Sequence, residues 1–172
     1  MPACRLITLD DARGLADLVR TNREFLAPWE PLRDDSYFTE AGQRASIGAS
    51  LAEHDRGRGL PYVITDGAGS VVGRVNLNNI VRGAFQSASL GYWLAEAAGG
   101  RGIATAAVRE ISRIAFTELG LHRLQADTLE HNVASQRVLE RNGFVRIGWA
   151  PRYLRIAGRW QDCILHQLLS DS

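Results

Sequence analysis

Cysteine is scarce in this chain. Only Cys4 and Cys163 occur, near opposite ends of its 172 residues. That is too few for a disulfide framework and better matches two buried free thiols in a reducing compartment. No cysteine and histidine cluster has metal-ligand spacing, so no metal is expected. Long apolar runs are missing as well. None approaches the roughly 18–20 residues that a membrane span requires, and the N-terminus lacks a basic stretch followed by an apolar one. A cytoplasmic protein with no membrane partner is expected. Charge of one sign is also lacking: 20 basic residues against 19 acidic ones leave a formal net charge of +1. That balance argues against a direct nucleic-acid partner. There is no internal repeat, low-complexity stretch or long linker. What remains, 45% hydrophobic and 23% charged, is ordinary for a soluble globular chain. Residues 1–172 are long enough for one domain with a sizeable core.

Taken in order, the chain predicts a short strand over Cys4–Leu9 and a helix over Asp11–Phe25, with Leu15, Leu18 and Val19 on its apolar face. Pro28 and Pro31 stop that helix and bracket Trp29 and Glu30 in a loop over Ala27–Phe38. A second helix is predicted over Thr39–His54. Strands follow over Tyr62–Thr65, Val71–Ile80 and Ser87–Leu94. In the second of these, Val75 and Leu77 alternate with Arg74, Asn76 and Asn78, giving one buried and one polar face.

The stretch Tyr92–Thr105 is the most informative. An apolar strand ends, three glycines (Gly99, Gly100 and Gly102) fall within four residues, and an amphipathic helix with Ile103, Ala107, Ile111, Ile114 and Ala115 on one face begins at once. Such a loop presents backbone N–H groups at the positive end of a helix, a ready site for phosphate or pyrophosphate. Gly120 ends the helix, and Leu121–Thr128 is a strand that should lie parallel to the one ending at Leu94. Asn132 caps a further helix, Val133–Arg141, closed by Asn142-Gly143. Strands over Phe144–Ala150, continued by Pro151–Ile156, and over Trp160–Leu168 complete the chain.

Three blocks in this order, Gly91-Tyr92-Trp93-Leu94, Gly99–Ala104 and Asn132–Phe144, resemble the GNAT N-acetyltransferase superfamily. Asn22–Pro31, Asn79–Phe85 and Gly158–Asp162 further resemble its RimJ/RimL-type ribosomal-protein alanine N-acetyltransferases. The resemblance implies an α/β (α+β) fold with a mixed, mostly antiparallel sheet of about seven strands, a splayed central parallel pair and about four helices. It implies acetyl-CoA as donor and a primary amine as acceptor, without metal. Donor-binding residues are expected at Tyr92, Trp93, Leu94, Gly99, Gly100, Arg101, Gly102, Ile103, Ala104, Thr105, Asn132 and Ser135. Two departures stand out. Gly99 replaces the usual Gln or Arg at the start of the loop. Leu139 occupies the position, seven residues after Asn132, where many members carry a tyrosine acid. Ser135 is the expected replacement as hydrogen-bond donor to the leaving sulfur.

The acceptor side is expected at Trp29, Glu30, Trp160 and Asp162. Glu30 is the first candidate for the base; Asp162 and Asp127 are weaker ones, and His122 and His131 are read as structural. The acidic group Glu30, Asp34, Asp35 and Glu40 suggests a basic acceptor. The leading acceptor is the N-terminal alanine of a ribosomal or other protein. A small amine (amino acid, polyamine or aminoglycoside) and a non-catalytic CoA-binding module are the alternatives, and the chain is either monomer or homodimer.

Overall fold

The computed structural model describes residues 3–171. One seven-stranded sheet organises it, in the order β1-β2-β3-β4-β5-β7-β6. The strands are β1 (Cys4–Leu6), β2 (Leu60–Thr65), β3 (Val71–Val81), β4 (Ser87–Leu94), β5 (Arg123–Leu129), β6 (Val145–Ile156) and β7 (Arg159–Leu169). Every pairing is antiparallel except that of β4 with β5, whose connection contains a helix, as a parallel crossover requires.

The helices are α1 (Ala12–Thr21), α2 (Arg23–Leu26), α3 (Glu40–Asp55), α4 (Ile103–Thr117) and α5 (Val133–Arg141). Among the described residues there are five rather than about four, because the expected first helix divides at Asn22. That buried side chain bonds the Leu18 carbonyl through Nδ2 (2.9 Å) and accepts from the Glu96 amide (2.9 Å). Asn22 thus ties the segment leading into the Trp29 loop to the turn that precedes the glycines.

The sheet separates two apolar cores. On one face, Ala107, Val108, Ile111 and Ala115 of α4 pack on Ile64, Val75, Leu77 and Leu124, all fully or nearly fully buried. On the other, Leu15 of α1 and Ile47 of α3 pack with Ile7 and Val63. Strand alternation feeds both cores, since successive side chains point to opposite faces. Val63, Arg74 and Trp93 share the α1/α3 face by register, whereas Tyr62, Val75 and Tyr92 share the α4 face. Cys4 and Cys163 are free and buried, and burial pushes the Cys4 thiol up to about 11.

Candidate active site

The two central strands begin together and then part. β4 and β5 pair only over Ser87↔Arg123, Ala88↔Leu124 and Ser89↔Gln125. Beyond that point β4 stays with β3 as far as Leu94, while β5 stays with β7 as far as Leu129. A cavity of about 460 Å³ fills the resulting gap. Its walls include Tyr92, Ala126, Thr128 and Leu139 from the α4/α5 side and Asn76, Asn78, Gly91, Asp127 and Leu129 from the other. The cavity therefore passes between the strands, with walls on both faces of the sheet. Parted strands also leave edge N–H and C=O groups facing the gap, where an extended ligand with amides of its own can pair.

The α4/α5 side has the features of an anion and thioester site. Gly100 and Gly102 adopt left-handed backbone, with φ of 71° and 76°. Gly102 is the N-cap of α4 and no side chain caps that helix. Among the described residues, no protein oxygen accepts from the amides of Gly100, Arg101, Gly102, Ile103, Ala104 or Thr105. Free amides at the N-terminus of a fifteen-residue helix suit a pyrophosphate. Gly99 is extended rather than left-handed, and a Cβ there would meet the Glu96 carbonyl oxygen at 3.1 Å. The loop is held in place by Asn142, whose Nδ2 donates to the Thr105 carbonyl (3.2 Å).

At the α5 end of the gap, Asn132 Oδ1 accepts from the Ser135 amide (3.2 Å), capping the helix as its sequence signature indicates. The cap fixes Ser135 on the cavity wall. Its Oγ lies 2.7 Å from the Tyr92 hydroxyl, which also reaches the Ser135 carbonyl at 3.1 Å. Burial pushes the Tyr92 phenol up to about 12. It is therefore a neutral hydroxyl at ordinary pH. Leu139 is fully buried, packed in the core while touching the cavity.

The opposite side is polar and acidic. Trp29 and Glu30 line the cavity, with Pro31 and Arg33 beside them. Trp29 stacks on His131 with ring centroids 5.2 Å apart and packs with Leu129, Ile156 and Cys163. The loop is thereby anchored over β5, and His131 is its support. Burial raises the Glu30 carboxyl above its usual range, against the opposing pull of Arg33 and Arg74. Asp127 is raised for the same first reason, partly offset by a bond from Gln125 Nε2 (3.0 Å) to its Oδ1. The Glu30 carboxylate takes no such bond among the described residues.

Two residues expected on the acceptor side stand elsewhere. Leu154 lines the cavity and pairs with Gln161, so Trp160, one position along, faces away; it is 62% exposed. Asp162 instead closes the register shift between Ala150 and Leu154, its Oδ1 accepting from the Arg152 amide (2.8 Å). The acidic group is dispersed as well. Asp35 pairs with Arg23 (2.9 Å), and Asp34 caps a short turn at Tyr37. Asn76, Asn78 and the Tyr92 hydroxyl line the cavity without having been expected there; the polar alternation along β3 is the sequence signal for the first two. Among the described residues no group of His, Cys, Asp and Glu is placed to hold a metal ion, and no helix is long and apolar enough to cross a membrane.

A strand pair that parts around a through-sheet cavity, beside a glycine loop with free amides, defines an acyl-transferring fold. The chain belongs to the GNAT acetyltransferase family: the sequence profile of the acetyltransferase (GNAT) domain matches residues 4–145. Within that family it is 36% identical over 169 residues to the [ribosomal protein uS5]-alanine N-acetyltransferase of Escherichia coli, spanning 95% of this chain and 85% of the relative. The structure of Mycobacterium smegmatis RimJ in complex with CoA-disulfide superposes with a TM-score of 0.94 at 33% identity, covering 98% of this chain and 81% of that one. The ribosomal-protein-S5-alanine acetyltransferase of Vibrio fischeri gives 0.93 at 34% identity, covering 98% and 93%.

Proposed function

We propose that this acetyltransferase moves the acetyl group of acetyl-CoA directly to the α-amine of a protein N-terminus, most plainly an alanine of a ribosomal protein. The observation that carries the reading is the through-sheet cavity. It lets a donor enter beside α4 and α5 while an acceptor enters beneath the Trp29–Glu30 loop, with the two meeting between β4 and β5. The activities named for the E. coli and V. fischeri relatives supply the acceptor class.

In this reading the amides of Gly100–Thr105 hold the pyrophosphate, and the free edge of Tyr92–Leu94 pairs with the pantetheine arm. The acceptor amine, with a pKa of roughly 8, must lose a proton to attack. Glu30 takes it, directly or through one water, because its carboxylate is free and its basicity is raised. Asp127, held by Gln125, faces the same space and stabilises the ammonium on arrival. As the nitrogen–carbon bond forms, the carbonyl oxygen gains charge. One backbone N–H at Trp93 or Leu94 receives it, since successive strand amides point to opposite neighbours. A preorganised donor of this kind is worth roughly 3–4 kcal/mol. The carbon–sulfur bond then breaks, and Ser135 donates its hydroxyl proton's hydrogen bond to the departing sulfur. Trp29 and Glu30 are assigned to the acceptor's first residue; Trp160 and Asp162 lie outside that wall.

Thiol release from acetyl-CoA, followed across alanine-ended peptides and small amines, tests the reading. Turnover of peptides well above that of small amines is expected. Turnover of small amines alone, or tight CoA binding with no turnover, would overturn it.

A further inference from the structure

Arg74 is a buried cation with no carboxylate in ion-pair contact among the described residues. It lies mid-strand on β3, paired with Val63 on one side and Trp93 on the other, on the α1/α3 face of the sheet. Its side chain is only 7% exposed. Nη2 donates to Asn76 Oδ1 at 3.3 Å, and Nε is buried with no partner among the described residues. Among those residues no carboxylate lies within 4.0 Å of its nitrogens. Burial disfavours the charge most; Tyr37 favours it, Arg33 opposes it with a second positive charge, and Glu30 favours it. An arginine stays protonated under these conditions, and a desolvated guanidinium left without a counter-ion is unfavourable.

The surroundings indicate where that counter-ion comes from. A second cavity, about 620 Å³, lies between α3 and the sheet and is lined in part by Ser50, Glu53, Arg58, Arg74, Asn76 and Asn78. Asn76 and Asn78 also line the through-sheet cavity, so the two spaces share a wall. Glu53, the carboxylate of the second cavity, is already engaged by Arg58 (2.7 Å) and Arg56 (3.0 Å). Asn78, Asn76 and Arg74 follow one another at every second position of β3, roughly 7 Å apart. An extended peptide has the same period. A chain whose amine sits between β4 and β5 can therefore lay its backbone along the two carboxamides and bring a side chain to Arg74 within its first few residues.

We infer that Arg74, backed by Asn76, is a subsite for a carboxylate carried by the acceptor peptide shortly after its N-terminal residue. The inference rests on the peptide-acceptor reading given above. It assigns an acceptor preference beyond the terminal alanine: an acidic side chain among the second to fourth residues.

The experiment uses alanine-ended peptides in matched pairs that differ only by Glu or Gln at position two, three or four. The wild-type enzyme should show a KM about tenfold lower for the Glu peptide at one of these positions, as a charge-assisted bond to a buried arginine implies. R74Q should erase that preference, and R74K should keep part of it. CoA binding by calorimetry confirms that each variant is folded. Equal KM values for every Glu and Gln pair, or a preference that survives R74Q, would overturn the subsite. So would an R74Q variant that moves the acid limb of the pH profile and leaves selectivity intact, because Arg74 would then act through Glu30 alone. If the wild-type enzyme turns over no peptide while acetylating small amines, the peptide-acceptor reading fails first and takes the subsite with it.

Discussion

The Tyr92 hydroxyl on β4 lies 2.7 Å from the Ser135 Oγ on α5 and spans the gap where the two central strands part. A tyrosine on the strand thus meets a serine on the helix at the wall of the cavity, one helical turn before the apolar Leu139. When Tyr92 donates to Ser135, the serine proton is directed into the cavity, and the paired hydroxyls polarise one another. Ser135→Ala and Tyr92→Phe should each lower kcat by about tenfold while sparing KM for acetyl-CoA, a loss of roughly 1–2 kcal/mol. The double variant should be no worse than S135A, because one hydrogen-bonded unit is removed only once. Additive losses would separate the two residues.

The two raised carboxyls make a pH prediction. A folded-state carboxyl whose pKa lies above its unfolded value binds its proton more tightly when folded. It therefore costs stability as pH rises above the unfolded value of roughly 4. Glu30 and Asp127 both shift in this direction, chiefly through burial. Glu30→Gln and Asp127→Asn should therefore raise the melting temperature at neutral pH and have little effect at acid pH, while lowering activity. E30Q should also remove an acid limb from kcat/KM that lies above the ordinary glutamate range. An unaltered limb would exclude Glu30 as the base.

Gly102 holds a φ of 76° at the N-cap of α4, with open space where a Cβ would sit. Gly102→Ala is accommodated sterically but strained in its backbone, at a cost of roughly 1–2 kcal/mol. Affinity for CoA, measured by calorimetry, should fall because the free amides are re-aimed. A thermal shift without a change in CoA affinity would mean that the loop does not hold the donor.

Trp29 anchors its loop by stacking on His131 and packing with Leu129 and Ile156. Trp29→Ala should raise the acceptor KM several-fold and leave CoA affinity near wild type, since none of its contacts lies on the glycine loop. A selective loss of CoA affinity would contradict the division of the cavity between donor and acceptor.

Much of this was legible in the chain. The glycine triplet, the α4 stripe and the Asn132 cap are local patterns, and the structure forms each from the residues that signal it. The polar alternation of Arg74, Asn76 and Asn78 placed those side chains on one face before their purpose was visible. The hidden parts depend on tertiary geometry. Tyr92 reads as an inward strand residue, and its bond to Ser135 exists only because β5 leaves β4 after Gln125. Trp160 and Asp162 belong to the acceptor side by resemblance alone. Strand alternation turns Trp160 away from the cavity, and Asp162 is taken up by the register shift between Ala150 and Leu154, which no local pattern encodes. The division of the first helix at Asn22 needed the distant Glu96 amide as a partner.

The most direct measurement is mass-spectrometric mapping of the product formed from acetyl-CoA and an alanine-ended peptide that also contains a lysine. The enzyme has no lysine of its own among its 172 residues, so side-chain amine acetylation of the catalyst cannot confuse the result. A single acetyl group on the α-nitrogen of the alanine is expected, lost when that nitrogen is blocked in advance. Acetylation confined to the lysine side chain, or none on any peptide that the enzyme is given, would contradict it.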